Sequence, residues 1–503
     1  MSTTFHASDP RTGAAGPAFT EASVSDVHGA VAAARAALTD PGFADPATRA
    51  EGMRRAAAQL RDDGDAIVAT AEAETGLPQV PRLRGELERT CVQLELLAAA
   101  CADGEFVDAI IDPADPEARP VPRPDLRRFS IPVGVVVVFG ASNFPLAFGA
   151  AGGDTASALA AGCPVIVKGH PLHPGTGELV ARAVGAGFAQ AGLPDGAFQH
   201  LQSSGTEVGL ALVDHPDVAA VAFTGSLRGG RALMDRAAAR PTPIPVFAEM
   251  GSLNPVVITD AAAAARRDEL ADALTGSVCT VGGQLCTKPG LAFVPRGAAG
   301  DGLVAALRER FAAREPEVML ASGIAEAFVA GLQGLDGAPD AVAQPGAHAH
   351  PVALEVDIAQ LESIEALREE HFGPALVVVR YGSEQELPAA IASLGGQLTA
   401  TLQAQDGEHA RLAPVVAALT AAAGRVLFAG VPTGVSVTWA MQHGGPYPAT
   451  SDPRHTSVGQ TAARRFVRPV AFQSAPAEVL PPAVQDGNPL RIVRRVDGVM
   501  LRD

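Results

Sequence analysis

The sequence predicts an α/β protein, with a doubly wound parallel sheet followed by a second α/β domain. Two observations lead there. Between Val133 and Ala248, short apolar runs alternate with segments of helical period, as strands buried on both faces and their crossover helices do. After Pro255 the alternation begins again, and a chain of 503 residues is too long for one compact core.

The elements follow in order. Residues 25–74 are Ala-rich and helical in period, with Ser25 or Asp26 as N-cap and Pro41-Gly42 dividing them into at least two covering helices. From Asp112 to Pro132, six prolines (Pro113, Pro116, Pro120, Pro122, Pro124 and Pro132) exclude a helix or central strand, so the stretch reads as an extended arm. The doubly wound part then runs strand Val133–Phe139, helix Leu146–Ala161, strand Pro164–Lys168, helix Gly175–Gln190 and strand Phe198–Gln202. It continues with helix Thr206–Val213, strand Val218–Phe223, helix Leu227–Ala239 and strand Ile244–Ala248. In the second alternation the expected strands are Val256–Ile258, Leu291–Val294, Ala375–Val379, Leu398–Leu402 and Arg425–Phe428, with a helix from Ala261 to Val278. Past Arg464, Pro469, Pro476, Pro481 and Pro482 and a short Leu490–Val493 run indicate a crossing strand and tail.

Composition excludes several classes. With 47% hydrophobic and 18% charged residues the chain can bury a core, which rules out a disordered or low-complexity protein. A formal net charge of −17 repels phosphate backbones and anionic lipid, so neither nucleic acid nor a membrane is expected as partner. The stretch Ile131–Val167 has only Asp154 as a charge, but its prolines and glycines make it a buried strand, a turn and a packed helix rather than a membrane span. No basic start followed by an apolar core opens the chain, so no export signal is expected. The five cysteines, Cys91, Cys101, Cys163, Cys279 and Cys286, form no Cys-x-x-Cys pair. Neither a disulfide framework nor a metal site is expected, and a reducing, cytoplasmic compartment fits.

Four segments carry chemistry. Gly282-Gly283-Gln284-Leu285-Cys286-Thr287 presents a cysteine on a glycine-rich loop after an apolar helix, and an electropositive, partly exposed loop would lower the thiol pKa. Taken alone, Cys286 reads equally as a small buried hydrophobe. In Phe247-Ala248-Glu249-Met250-Gly251 a carboxylate ends an apolar strand, where burial would raise its pKa and suit it to general-base work; a strand-end cap is the alternative. Asn143, in Gly140-Ala141-Ser142-Asn143-Phe144-Pro145, could donate to an oxyanion or simply form an Asx turn before the proline. Phe223-Thr224-Gly225-Ser226 passes from strand through a glycine turn into a helix, whose N–H groups could meet a phosphate.

Lysine usage adds a clue, since Lys168 and Lys288 are the only lysines among 38 basic residues, and a retained Lys suggests a need for a compact ammonium. His170-x-x-His173 and His348-x-His350 have ligand-like types, but a proline-rich setting without carboxylates or cysteines argues against a metal. The chain contains no Gly-x-Ser-x-Gly elbow and no GK[ST] P-loop, so serine hydrolase and P-loop kinase readings fall.

In order and spacing, Ser142-Asn143-Phe144-Pro145, Lys168, Phe223-Thr-Gly-Ser226 with Gly230, Glu249-Met-Gly251, Gly283-Gln-x-Cys286-Thr and Glu370-His-Phe372-Gly-Pro374 resemble the aldehyde dehydrogenase superfamily over essentially the whole chain. The resemblance implies an aldehyde dehydrogenase-like fold: a cofactor-binding domain (residues 1–112 and 133–250), a catalytic domain (251–463), and bridging or oligomerisation segments (113–132 and 464–503) that would pair subunits into a homodimer or homotetramer. It implies Cys286 as nucleophile towards a small-molecule aldehyde, Glu249 as the base for water, and Asn143 with the Cys286 N–H as the oxyanion site. Lys168, Gly225, Ser226, Glu370 and Phe372 would contact the cofactor.

The chain departs from the family pattern at two places. Gly251-Ser252-Leu253 stands where many members have Gly-Gly-Lys, and Pro171 stands where many NAD-specific members have Glu three residues after the lysine. Loss of that carboxylate removes repulsion against a 2′-phosphate, which points to NADP, with NAD as a second cofactor. Val167-Lys-Gly-His-Pro171, Gln284-Leu-Cys-Thr-Lys-Pro-Gly290, His443-Gly-Gly-Pro-Tyr-Pro448 and Thr456-Ser-Val-Gly459 further resemble α-ketoglutaric semialdehyde (2,5-dioxopentanoate) dehydrogenases, and some are shared with NADP-dependent long-chain fatty-aldehyde dehydrogenases. Arg454, beside the His443–Pro448 loop, is the expected anchor for a substrate carboxylate. A non-catalytic structural relative would not need Asn143, Glu249 and Cys286 together, and a coenzyme A-acylating variant would release its thioester by thiolysis rather than by water.

Overall fold

The computed structural model describes residues 3–335, 346–432 and 434–502. Its first large sheet consists of β1 (Val135–Phe139), β2 (Val165–Lys168), β3 (Phe198–Leu201), β4 (Val218–Thr224) and β5 (Val246–Glu249), in spatial order β3-β2-β1-β4-β5 and parallel throughout. Strand alternation divides its side chains between two cores. Val136 and Val138 pack into the layer that holds helices Pro46–Asp62, Arg84–Ala102 and Pro174–Gln190, while Val135 and Val137 face helices Val24–Leu38, Glu207–Asp214 and Leu227–Ala238. Burial on both faces explains why β1 reads as an unbroken valine run.

The second sheet comprises β6 (Val256–Ile258), β7 (Leu291–Pro295), β8 (Val352–Asp357), β9 (Ala375–Tyr381), β10 (Gln397–Gln403) and β11 (Ala423–Leu427), ordered β8-β9-β7-β6-β10-β11 and again parallel. Val257, Phe293 and Val377 fill one core and Val256, Ala292 and Val378 the other. Strand β8 is absent from the sequence expectation; its half-exposed alternate residues mark it as an edge strand without a continuous apolar run.

Three local expectations are corrected. The first helix starts at Val24 with Ser23 as its cap: Ser23 Oγ accepts from the Asp26 N–H at 3.2 Å, and Asp26 returns a bond to the Ser23 N–H at 2.7 Å, a capping box. The helix expected from Leu146 begins only at Gly153: Gly149 and Gly152 donate to carbonyls three residues back and Gly153 to that of Ala147, so the chain makes successive turns instead of an i→i−4 ladder, while Glu86 Oε1 accepts the N–H groups of Leu146 and Ala147, each at 2.9 Å. The proline-rich arm yields a strand, Leu126–Pro132, in the interior of a third sheet, between Ala109–Asp112 and Val467–Gln473. Five of its prolines precede that strand and the sixth ends it, so nearly every ladder N–H survives. Arg494–Val496 and then Val499–Leu501 complete this sheet, and Val499, Met500 and Leu501 are exposed along its edge.

Candidate active site

A cavity of about 690 Å³ lies at the carboxyl ends of β1, β2, β4 and β5. From β1 the chain winds outward through β2 and β3 on one side and through β4 and β5 on the other, so the cavity sits where strand order reverses, the usual ligand crevice of an open parallel sheet. Eight of the nine residues singled out in the sequence line it; the exception is Arg454.

One end of the cavity suits a phosphate. Ser226 caps helix Leu227–Ala238, its Oγ accepting from the Gly229 N–H at 3.1 Å, so the helix opens beside Gly225 with its N–H groups towards the cavity. A Cβ on Gly225 would lie 2.6 Å from the Phe223 ring, so any side chain there would have to displace that ring. Lys168 ends β2, where its Nζ donates to the Ser203 carbonyl at 2.6 Å; burial brings its pKa down to about 8. Arg228, exposed on the first turn of the helix, also faces this cavity. The capped helix end, the glycine turn and these cations fit the phosphates of a dinucleotide.

The nucleophile loop is shaped by backbone strain. Helix Arg267–Cys279 ends in a turn where Val281, Gly282 and Gly283 have φ of 56°, 60° and 68°, a left-handed run that costs the branched Val281 most. The reversal brings Cys286 to the cavity, and three side chains hold it. Asn143 Nδ2 donates to the Gln284 carbonyl at 2.8 Å, and Asn254 Nδ2 donates to the carbonyls of Cys286 at 2.8 Å and Lys288 at 2.9 Å. Lys288 is fully buried, its Nζ donating to the carbonyls of His371 at 2.9 Å and Ala375 at 3.1 Å, which ties the loop to the Glu370–Phe372 segment. Burial brings Lys288 down to about 8 and Glu370 up to about 7, each partly offset by the other's charge. A Cβ on Gly251 would lie 2.6 Å from Glu370 Oε2, which places that carboxylate at the turn after Glu249.

A residue without an assigned role in the sequence completes the centre. His443 is fully buried; its Nε2 lies 3.4 Å from Cys286 Sγ and 2.9 Å from Glu249 Oε1. One nitrogen thus stands between thiol and carboxylate, positioned to take a proton from one and face the charge of the other. The His443 N–H donates to Thr456 Oγ1 at 2.9 Å, and the Ser457 hydroxyl donates to Glu249 Oε2. These residues were visible in the sequence only as motif markers, because nothing in their spacing brings His443 to Cys286, 157 residues away.

Electrostatics overturn two expectations. The Cys286 thiol sits well above its ordinary pKa, because burial and the charge of Glu249 both oppose the thiolate. The loop is therefore not electropositive enough to ionise it at rest, and the thiol needs a base. Burial raises Glu249, as expected, but His443, Ser457 and Cys286 outweigh it and leave the carboxyl below its ordinary value, ionised and ready to accept a proton. The third correction is Arg454, whose side chain is 81% exposed and forked onto Asp452, with Nε to Oδ1 at 2.9 Å and Nη2 to Oδ2 at 2.5 Å. It does not reach the cavity. Among the described residues, Glu249, Cys286 and His443 are also the group of acidic, thiol and imidazole side chains close enough to share a cation, with one donor atom from each within 4.8 Å of the others.

Comparison with known proteins places this geometry. Residues 1–319 match the model of the aldehyde dehydrogenase family. The chain is 47% identical over 506 residues to alpha-ketoglutaric semialdehyde dehydrogenase 2 of Azospirillum brasilense, covering 98% of this chain and 96% of that protein. It is 42% identical over 497 residues to the alpha-ketoglutaric semialdehyde dehydrogenase of Acinetobacter baylyi, covering 96% and 93%. Among solved structures, it is similar in fold to the NAD+ complex of an aldehyde dehydrogenase from Bacillus cereus, with TM-score 0.79, 22% identity and 93% of each chain covered. It is likewise similar to lactaldehyde dehydrogenase from Escherichia coli, with TM-score 0.79, 23% identity and 94% and 96% covered.

Proposed function

The chain belongs to the aldehyde dehydrogenase family and is an oxidoreductase acting on aldehydes, and from that premise we propose that its aldehyde is α-ketoglutaric semialdehyde, oxidised to 2-oxoglutarate. The observation that carries the substrate reading is the 47% and 42% identity, over nearly the whole chain, to two alpha-ketoglutaric semialdehyde dehydrogenases; the contact of Cys286, His443 and Glu249 beside the cavity supports the chemistry.

In the proposed reaction the Cys286 thiol loses its proton to His443 Nε2, whose imidazolium faces the Glu249 carboxylate, and its sulfur forms a C–S bond to the aldehyde carbon. The carbonyl π electrons move to oxygen. The resulting oxyanion is held by the Cys286 N–H and by the Asn143 amide, which keeps one N–H free after bonding to the Gln284 carbonyl. A bound nicotinamide supplies the hydride acceptor. Departure of the hydride leaves a thioester on Cys286. Glu249 then takes a proton from water, the hydroxide attacks the acyl carbon, and the C–S bond breaks; the thiolate regains its proton from His443, and the product acid and Glu249 release theirs to solvent.

A nicotinamide dinucleotide is the cofactor of the family, and NADP is our finer reading. Lys168 and Arg228 lie at the phosphate end of the cavity, where Pro171 also lies, with no carboxylate in its place to repel a 2′-phosphate. We also read the protein as a cytoplasmic homodimer or homotetramer. The exposed edge strand Val499–Leu501 supports the pairing, since an unpaired apolar edge favours a second chain. All five cysteines are free, which suits a reducing compartment. No helix of the described residues is long and apolar enough to cross a membrane.

The test is reduction of NADP⁺ and NAD⁺ with the semialdehyde and with a long-chain aldehyde, in wild type and Cys286→Ala. Turnover of the semialdehyde that falls about 10⁴-fold or more in the variant is expected. Faster turnover of the long-chain aldehyde would overturn the substrate, and turnover that survives loss of the thiol would overturn the mechanism.

A further inference from the structure

A second cavity, of about 640 Å³, lies against the nucleophile loop, between Thr280 and Leu285. Phe144 and Leu285, chain neighbours of Asn143 and Cys286, form part of its wall, together with Arg82, Glu86 and Arg89 from the helix Arg84–Ala102 and the turn before it. Most charge in this wall is already matched. Glu86 accepts the N–H groups of Leu146 and Ala147 and pairs with Arg82, which also donates to the Asn143 carbonyl at 2.9 Å. Glu317 stands beside Arg314.

Arg89 is different. Among the described residues it makes no hydrogen bond or ion pair, and its Nε and Nη2 are sealed from solvent without a partner. Its guanidinium lies against two rings, 5.9 Å from the centre of Phe144 and 5.4 Å from that of Phe148. Ring faces offset only part of the cost of removing a guanidinium from water, and a buried cation without hydrogen-bond acceptors is an incomplete site. Its charge also reaches Cys286, whose thiolate it favours. Elsewhere in the molecule the same Nε/Nη2 edge grips carboxylates in two parallel bonds, as Arg61 does with Glu88 at 3.0 and 2.8 Å.

We propose that Arg89 is the anchor for the substrate's distal carboxylate, with the long side chain turning one edge of its fork into the cavity while the aldehyde end meets Cys286 and Asn143. The idea deepens the proposed function, on which it rests for its choice of semialdehyde, and it gives Arg89 the role expected of Arg454. An anionic ligand is what this pocket lacks. A planar carboxylate matches the fork, and the rings of Phe144 and Phe148 exclude the water that would otherwise weaken the pair.

The test compares wild type, Arg89→Leu and Arg89→Lys on the semialdehyde and on pentanal, a neutral aldehyde of the same chain length, with glutarate as an inhibitor of pentanal oxidation. The ratio of kcat/KM for semialdehyde over pentanal is expected to fall about 100-fold in Arg89→Leu, mainly through KM, with partial recovery in Arg89→Lys. Equal losses on both aldehydes would mean a packing role and overturn the proposal, as would an unchanged ratio. Should wild type not oxidise the semialdehyde, the substrate reading fails, and glutarate still decides on Arg89. Competitive inhibition in wild type that is lost in Arg89→Leu supports the anchor, and inhibition that is equal in both, or absent from wild type, refutes it.

Discussion

On the dinucleotide side of Cys286 many of the groups that line the cavity, Lys168, Thr224 and Gly225 among them, stand at the ends of neighbouring parallel strands or on the turns that follow them, whereas the acid–base side joins Glu249 to His443 and to Ser457, 208 residues further along the chain. The first side is a property of the sheet: any chain that winds this way presents backbone N–H groups and strand-end side chains in one crevice. The second depends on loops being held in place by many specific bonds, such as Thr456 under His443 and Asn254 under the nucleophile loop. Substitutions on the two sides should therefore fail differently, the strand-end groups through KM for the cofactor and the assembled centre through the chemical steps.

After loss of the nucleophile itself, the largest effect is expected from Glu249→Gln. Loss of the base for water should slow steady-state turnover by roughly 10³-fold while leaving a rapid first turnover of dinucleotide reduction, seen by stopped-flow absorbance. The same substitution removes a negative charge that opposes the thiolate, so the Cys286 pKa should fall and iodoacetamide should alkylate it faster at a given neutral pH. Unchanged alkylation would mean that Glu249 and Cys286 do not share a charge environment, which would break the acid–base side of the comparison.

A smaller loss, about 10²-fold in kcat, is expected for His443→Gln. Its pH profile separates a proton role from mere packing. His443 holds the Glu249 carboxyl below its ordinary value, against burial; without the imidazole that carboxyl rises, so the base is protonated to higher pH and the acid limb of the kcat profile moves upward. A loss of activity with the acid limb fixed would make His443 a spacer.

The contrast between the two sides also explains what the sequence could reveal. Valine runs such as Val135–Val138 alternate with helices at the spacing of a parallel sheet, and the residues at strand ends, Lys168 and Glu249, inherit their place from it. The interior strand Leu126–Pro132 was hidden because its neighbouring prolines look like an arm, although all but the last precede the ladder. His443 and Arg89 were hidden for another reason. Each lies on an element whose own period or glycine content explains it locally, and only the tertiary contacts with Cys286, Phe144 and Phe148 give it a role. Arg454 shows the converse, since an arginine beside a functional loop found a nearer carboxylate in Asp452. The ionisation of Cys286 and Glu249 is not legible residue by residue, because in the fold each group sets the other's charge.

The smallest effect, and the one that sharpens the dinucleotide side, concerns Lys168. Burial brings its ammonium down to about 8, so the free enzyme holds it charged at pH 7 and mostly neutral at pH 9. An anionic 2′-phosphate is attracted only by the charged form, and NAD⁺ lacks that group. KM for NADP⁺ should therefore rise by roughly tenfold between pH 7 and pH 9, while KM for NAD⁺ moves much less. Lys168→Met should flatten the NADP⁺ curve at its high-pH value without affecting the rapid chemistry at Cys286. If both cofactors lose affinity together as pH rises, the lysine serves a part of the dinucleotide common to both, and selection for NADP would have to come from Arg228 at the helix end instead.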